Sequence, residues 1–166
     1  MGLSNSNTGN NMHILSFDIE DWFLMNDSKR IPHSQWESYE SRIEMNTKII
    51  LDVLERNNVK ATFFILGWVA EKHPDLIKEI ARHGHEIGYH SYYHLHIYHQ
   101  NKKEFEYDLQ KGIQIIESIT NAKIKCYRAP YFSLQDHSLW AIPVLMKNGI
   151  KVSSSTKAYC AINQQY

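Results

Sequence analysis

The sequence has few of the residues that mark specialised protein classes. Only two of its 166 residues are cysteine, Cys126 and Cys160, which is too few for a disulfide framework or a cysteine-based zinc cage. Lysine and arginine number 18, as do aspartate and glutamate, and no dense basic run occurs. Nothing in the charge therefore indicates nucleic acid as a partner. No apolar run is long enough to predict a membrane-spanning segment.

The amino-terminal residues 1–11 are small, polar and rich in amides. They lack the basic start and the apolar run of a secretory signal, so we expect a disordered tail and a cytoplasmic protein. The whole chain is 43% hydrophobic and 12% aromatic, as is typical of a globular protein. We predict one domain over residues 12–166.

Strand-like and helix-like segments alternate along this domain. Short β-prone runs occur at residues 13–17, 61–66, 86–89, 125–127 and 150–153. Helices are predicted at residues 39–57, 68–82 with a break at Pro74, 103–119 and 138–148. The first helix is predicted from apolar residues that recur close to every 3.6 residues: Ile43, Met45, Ile49, Ile50, Val53 and Leu54. About five βα units predict a parallel sheet, either doubly wound or an incomplete (β/α) barrel.

Polar residues with catalytic chemistry follow three of the predicted strands. In parallel sheets of either kind, the carboxyl ends of the strands meet at one edge, where sites form. We therefore expect these residues to share one site: Asp18, Glu20 and Asp21 after the first strand, His90 and His94 after the third, and Arg128 and Tyr131 after the fourth.

The two histidines are the candidate metal ligands. At helical pitch, a spacing of four residues puts both imidazoles on one face. Two histidines and one carboxylate leave open positions on a divalent ion, which can then activate water for hydrolysis. Asp18 and Glu20 project to the same side of a strand. We favour Glu20 as the metal carboxylate, with Asp21 as the alternative, and Asp18 as the general base.

The segment around Arg128 supplies two further candidate roles. Pro130 restricts the backbone of its neighbours, which would hold the guanidinium of Arg128 and the backbone N–H of Tyr131 in fixed positions. Arg128 could orient Asp18 through a charge-assisted hydrogen bond. The Tyr131 N–H could stabilise an oxyanion.

Together these motifs resemble the polysaccharide deacetylases of carbohydrate esterase family four, which include the nodulation-type chitooligosaccharide deacetylases. The resemblance extends over residues 12–155. It rests on SFDIEDWF at residues 16–23, ATFF at 61–64, GWVA at 67–70, GHEIG at 84–88 followed by His90 and His94, and YRAPYF at 127–132.

The resemblance implies a distorted (β/α) barrel that removes N- or O-acetyl groups from a glycan in cell-surface or exopolysaccharide metabolism. It also implies a divalent metal, expected to be zinc, bound by an acidic residue and the two histidines. Asp18 would be the general base, Arg128 would orient it, and the Tyr131 backbone would contribute to the oxyanion hole.

Two departures from the family pattern matter. Most members have two adjacent aspartates where this chain has Asp18-Ile19-Glu20. In addition, the later strands of the family, with a leucine-flanked histidine as general acid, have no counterpart here. We therefore expect a barrel truncated at its carboxyl end.

Two alternatives stay open. A truncated, non-catalytic remnant could bind metal or glycan and could self-associate through an exposed sheet edge. A related metal-independent amide hydrolase would keep the fold and act on another bond.

Overall fold

The computed structural model describes residues 13–24 and 31–157. Five β-strands alternate with five α-helices, and short 3-10 turns lie between them. The strands are β1 (Ser16–Ile19), β2 (Thr62–Ile65), β3 (Glu86–Tyr89), β4 (Cys126–Tyr127) and β5 (Val152–Ser153). The helices are α1 (Ile43–Arg56), α2 (Gly67–Lys72), α3 (Pro74–Arg82), α4 (Lys102–Thr120) and α5 (Ala141–Lys147).

All strand pairs are parallel, and the strand order in the sheet is the order in the sequence, β1-β2-β3-β4-β5. A doubly wound sheet would reverse its strand order at a switch point, whereas a barrel adds each strand beside the previous one. The described strands therefore form part of a barrel wall. Because parallel crossovers are right-handed, this order puts the helices on one side of the sheet.

The two faces of the sheet differ in polarity. Phe63, Ile65 and Tyr89 point outward and are fully buried as part of the hydrophobic core. Alternate positions point inward and bear Ser16 and Asp18 on β1. The inner face therefore carries the polar groups, which extend to the carboxyl ends of the strands.

Local sequence explains where the longest helix begins and ends. The Asn101 side chain accepts hydrogen bonds from the backbone N–H groups of Lys103 and Glu104, and Glu104 accepts from the Asn101 N–H. This is a capping box, which satisfies otherwise unpaired amides. Asn121 ends the helix in a left-handed conformation, with φ of 55°.

Several predicted boundaries differ from the observed ones. Strand β1 begins three residues later than predicted, and α5 begins only at Ala141, after a separate 3-10 turn at Asp136–Ser138. The predicted break at Pro74 is confirmed, since Pro74 occupies the first turn of α3, where a missing N–H costs nothing.

The predicted first helix is observed as α1, but the apolar residues that predicted it are not all buried. Met45, Ile49 and Val53 are 59%, 57% and 52% exposed, whereas Thr47 and Leu51 are buried. The three exposed residues lie about opposite the face formed by Ile43, Thr47, Leu51 and Leu54. Apolar residues occur on both faces of this helix, so periodicity alone could not select the face that packs on the sheet.

Two predicted features cannot be compared with the structure. The expected disordered tail and Cys160 lie outside the described residues. Within the described part, the sheet ends at β1 on one side and at β5 on the other.

No helix in this part combines the length and hydropathy needed to cross a bilayer.

Candidate metal centre and active site

The carboxyl ends of β1 and β3 bring a carboxylate and two imidazoles together. Glu20 follows β1, while His90 directly follows β3 and His94 lies in the loop beyond it. One ligand atom from each residue lies within 4.8 Å of the others. Oε2 of Glu20 is 2.8 Å from Nε2 of His94 and 3.8 Å from Nε2 of His90. These three side chains could therefore hold one metal ion between them.

The histidine pair does not lie on a helix, contrary to the prediction from its spacing. Residues 90–96 form an irregular loop in which Ser91 and His94 have positive φ values, 65° and 55°. The two rings meet because the loop folds back on itself, with ring centroids 5.1 Å apart. Left-handed backbone at residues other than glycine is uncommon and occurs where surrounding contacts fix it.

The donor set fits a divalent metal. Glu20 Oε2 is buried and accepts no hydrogen bond from the described part of the chain. The Nε2 atoms of His90 and His94 lie close to it. His90 Nδ1 lies 2.7 Å from the carbonyl oxygen of Arg128 and must donate to it, which leaves Nε2 as the lone-pair nitrogen facing Glu20. A hydrogen bond from the other ring nitrogen fixes the tautomer of a metal-binding histidine. One carboxylate and two imidazoles suit zinc.

The protonation states agree with this assignment. Burial lowers the pKa of His90, against the opposing effect of Asp18, so its imidazole is neutral at pH 7. Burial acts to raise the pKa of Glu20, but the nearby His94 and His90 outweigh it and hold that pKa below its ordinary value. A neutral imidazole and an ionised carboxylate are the forms that bind metal.

Asp21 is not part of this group. The alternative prediction, that Asp21 supplies the metal carboxylate, was therefore wrong. Asp21 directly precedes the 3-10 helix Trp22–Leu24 and is absent from the cluster of possible metal ligands. Its carboxylate accepts hydrogen bonds from the backbone N–H of Arg42 at 3.2 Å and of Trp22 at 3.1 Å. Arg42 is the N-cap residue of α1, so Asp21 caps that helix from another segment.

Asp18 lies beside the candidate metal group and is paired with Arg128. Nη1 of Arg128 donates to Asp18 Oδ1 at 2.7 Å, and Asp18 Oδ2 is 3.8 Å from His90 Nε2. The Asp18 side chain keeps 29% of its surface exposed, compared with 13% for Arg128. The carboxylate is therefore oriented from one side and open to solvent on another.

Sequence reasoning missed three residues that hold Arg128 in place. Nη2 of Arg128 donates to the hydroxyls of Ser16 and Ser154, each at 2.9 Å. The guanidinium also lies 4.2 Å above the centre of the Phe64 ring, a favourable cation–π distance. Ser16 shares a strand face with Asp18 and could have been found by period-two alternation, but Ser154 required the alignment of β4 with β5.

Tyr131 lies close to the histidine loop. It has a φ of 55° in the turn Pro130–Phe132. Its ring stacks on His96, with centroids 4.2 Å apart, and contacts His94 at 4.6 Å. All the predicted site residues except Asp21 thus meet at one end of the sheet.

Comparison with known proteins identifies the family of this chain and agrees with the fold. A family profile described as polysaccharide deacetylase matches residues 7–152. The chain belongs to the polysaccharide deacetylase family. The resemblance inferred from the sequence motifs is confirmed, and so is the barrel-type α/β fold.

Three relatives illustrate the similarity. A peptidoglycan-N-acetylglucosamine deacetylase of Bacillus cereus is 41% identical over 96 residues, which cover 57% of this chain and 35% of the relative. The crystal structure of a peptidoglycan N-acetylglucosamine deacetylase aligns with a TM-score of 0.62 at 28% identity, covering 84% of this chain and 55% of that one. A CE4 family pseudoenzyme from Bacillus anthracis aligns with a TM-score of 0.61 at 27% identity, covering 66% and 38%.

The matched regions span between about a third and just over half of these polysaccharide deacetylases. The family profile, at residues 7–152, includes strands β1 to β4, the first residue of β5 and the loops that carry the candidate site.

Proposed function

We propose that this chain carries the metal-binding residues of a zinc-dependent deacetylase that removes acetyl groups from N-acetylated amino sugars in a glycan. The observation that carries the proposal is the buried group of Glu20, His90 and His94, in which a carboxylate oxygen without a hydrogen bond faces two imidazole nitrogens. The similarity to peptidoglycan deacetylases supports a cell-surface glycan or exopolysaccharide as the substrate class.

The reaction is hydrolysis of an amide, in which water attacks the acetyl carbonyl and the products are acetate and a free amine. A bound zinc ion lowers the pKa of water and polarises a carbonyl oxygen. Glu20, His90 and His94 would hold the ion. Their donor atoms all lie within 4.8 Å of one another, which is close enough for all three to bind one ion at the metal–ligand lengths of about 2.0–2.2 Å that zinc prefers.

Asp18 is the residue best situated to act as general base. Its Oδ2 faces His90 Nε2 at 3.8 Å, so a water molecule held near the histidines lies within reach of this oxygen. Arg128 holds the other carboxylate oxygen and leaves Oδ2 to accept the proton. We assign the Tyr131 backbone N–H as the candidate donor to the oxyanion.

A second candidate function is binding without catalysis. The similarity to a CE4 family pseudoenzyme favours it, because that relative shares the fold over two thirds of this chain. In such a protein the metal group would form and hydrolysis would not follow.

The test measures zinc content and acetate release from N-acetylated chitooligosaccharides for the wild type and His90→Ala. The matched control is His13→Ala, since His13 is exposed and precedes β1 at the opposite end of the sheet. The proposal expects one zinc per chain and acetate release, both lost in His90→Ala and retained in His13→Ala.

Each other outcome counts against a named part of the proposal. Bound zinc without acetate release would favour the non-catalytic function. Acetate release that persists in His90→Ala would favour a metal-independent hydrolase. Absence of zinc binding by the wild type would refute the assignment of the metal group.

A further inference from the structure

The loop between the two candidate metal-binding histidines is held on both sides by contacts from helices. On one side, the first two N–H groups of α2 donate to it, from Gly67 to the Ser91 carbonyl at 2.9 Å and from Trp68 to the Tyr92 carbonyl at 3.3 Å. A Cβ at position 67 would lie 2.5 Å from the Tyr92 ring, so only glycine allows this close approach.

On the other side, the loop is held by one carboxylate from α4. Asp108 Oδ2 accepts a hydrogen bond from the backbone N–H of Tyr92 at 3.0 Å. Tyr92 lies between His90 and His94 and next to Ser91, whose φ is positive. The bond therefore fixes the backbone at the middle of the strained segment.

The same carboxylate reaches the residue that precedes His90. The hydroxyl of Tyr89 lies 2.8 Å from Asp108 Oδ1 and 2.7 Å from the Asp108 carbonyl, and it donates to these oxygens. Tyr89 is fully buried and Asp108 is only 7% exposed. Burial raises the pKa of Asp108 to about 6. A carboxylate kept in such an environment is stabilised by these two donors, with a smaller electrostatic contribution from Lys111.

We propose that Asp108 is a positioning residue for the metal centre. Its carboxylate joins the end of β3 to the middle of the loop and thereby sets the separation of the His90 and His94 rings before any metal binds. The inference rests on the proposed function of Glu20, His90 and His94 as a metal site. Asp108 itself contacts none of these three.

Two substitutions separate positioning from simple packing. In Asp108→Asn, Oδ1 can still accept from the Tyr92 N–H, and the amide can donate to the Tyr89 oxygen. In Asp108→Ala both side-chain contacts are lost, and only the bond from the Tyr89 hydroxyl to the backbone carbonyl of residue 108 can remain. We expect the zinc dissociation constant to rise about tenfold or more in Asp108→Ala and to stay within about threefold of the wild type in Asp108→Asn.

The matched control is Ile116→Ala. Ile116 is fully buried on the same helix, about two turns beyond Asp108, and its truncation creates a cavity without removing a loop contact. It should lower the melting temperature and leave zinc affinity unchanged. If Asp108→Ala does not fold, Asp108→Leu takes its place, because an apolar side chain of similar size fills the space without accepting a hydrogen bond.

Zinc affinity is measured by competition with a chelator, and hydrogen exchange at the Tyr92 amide is measured in metal-free protein. Asp108→Ala should accelerate Tyr92 exchange relative to the Leu51 amide in α1, whereas Asp108→Asn and Ile116→Ala should not. The proposal is overturned if Asp108→Ala matches Ile116→Ala in both measurements.

The exchange measurement keeps this inference separate from the proposed function. If the wild type binds no zinc, the metal site fails, but accelerated Tyr92 exchange in Asp108→Ala would still support Asp108 as the residue that holds the loop. Unchanged exchange in both Asp108→Ala and Asp108→Leu would refute it.

Discussion

Two buried tyrosines on neighbouring strands provide a matched test of the hydrogen bonding beneath the site. Tyr89 and Tyr127 are in register on β3 and β4, with ring centroids 6.1 Å apart, and both are at most 1% exposed. The Tyr89 hydroxyl donates to Asp108. The Tyr127 hydroxyl has no hydrogen-bond partner in the described part of the chain. Replacing either tyrosine by phenylalanine removes one phenolic hydroxyl and leaves the ring in place.

The two substitutions should change stability in opposite directions. A buried hydroxyl without a partner carries a desolvation cost, so Tyr127→Phe should raise the free energy of unfolding by about 1 kcal/mol. Tyr89→Phe leaves Asp108 Oδ1 without its donor and should lower it by about 1–3 kcal/mol. In a domain of this size, 1 kcal/mol corresponds to about 2–4 °C in melting temperature.

The assay is urea unfolding at pH 7.5, where Asp108 is ionised because its pKa is about 6, with melting temperature as a second readout. An unchanged dependence on urea concentration would show that the native and denatured states stay comparable. Shifts of the same sign and size in both variants would refute the reasoning, because the two sites would then not differ in hydrogen bonding.

Three further predictions concern Glu20, Asp108 and Cys126. Removal of zinc by a chelator should lower the melting temperature of the wild type and leave Glu20→Gln little changed, as calorimetry would detect; equal shifts would count against Glu20 as a ligand. Because burial raises the pKa of Asp108 from 3.8 to about 6, native Asp108 binds more protons between these values, so the contribution of Asp108 to the free energy of unfolding should fall by about 3 kcal/mol as pH rises through them. Asp108→Asn should remove this fall, and unfolding curves at pH 4 and pH 7 would reveal it. Burial, with Glu86 nearby, raises the pKa of Cys126 to about 12, so native Cys126 should react with a thiol reagent far more slowly than in urea-unfolded protein; equal rates would contradict its burial.

Other expectations remain predictions. The cytoplasmic location, the single domain over residues 12–166 and self-association through an exposed sheet edge are not tested by the fold. The edge strands β1 and β5 are where self-association would occur, and sedimentation velocity at two protein concentrations would detect it.

The sequence by itself determined the alternation of strands and helices, the family and most of the site. Period-two alternation predicted that Asp18 on β1 and Glu20 just after it point to the same side, and the carboxyl ends of parallel strands necessarily share an edge. These features depend on local backbone geometry, which short stretches of sequence determine.

Only the tertiary structure decided which contacts those residues make. Asp21 caps α1 through Arg42, His94 reaches His90 through a left-handed loop instead of a helix, and Met45 faces solvent. Asp108 meets the Tyr92 amide from sixteen residues away in sequence. Each of these depends on how separate segments pack, and hydrogen bonds between distant segments leave no periodic signal in the sequence.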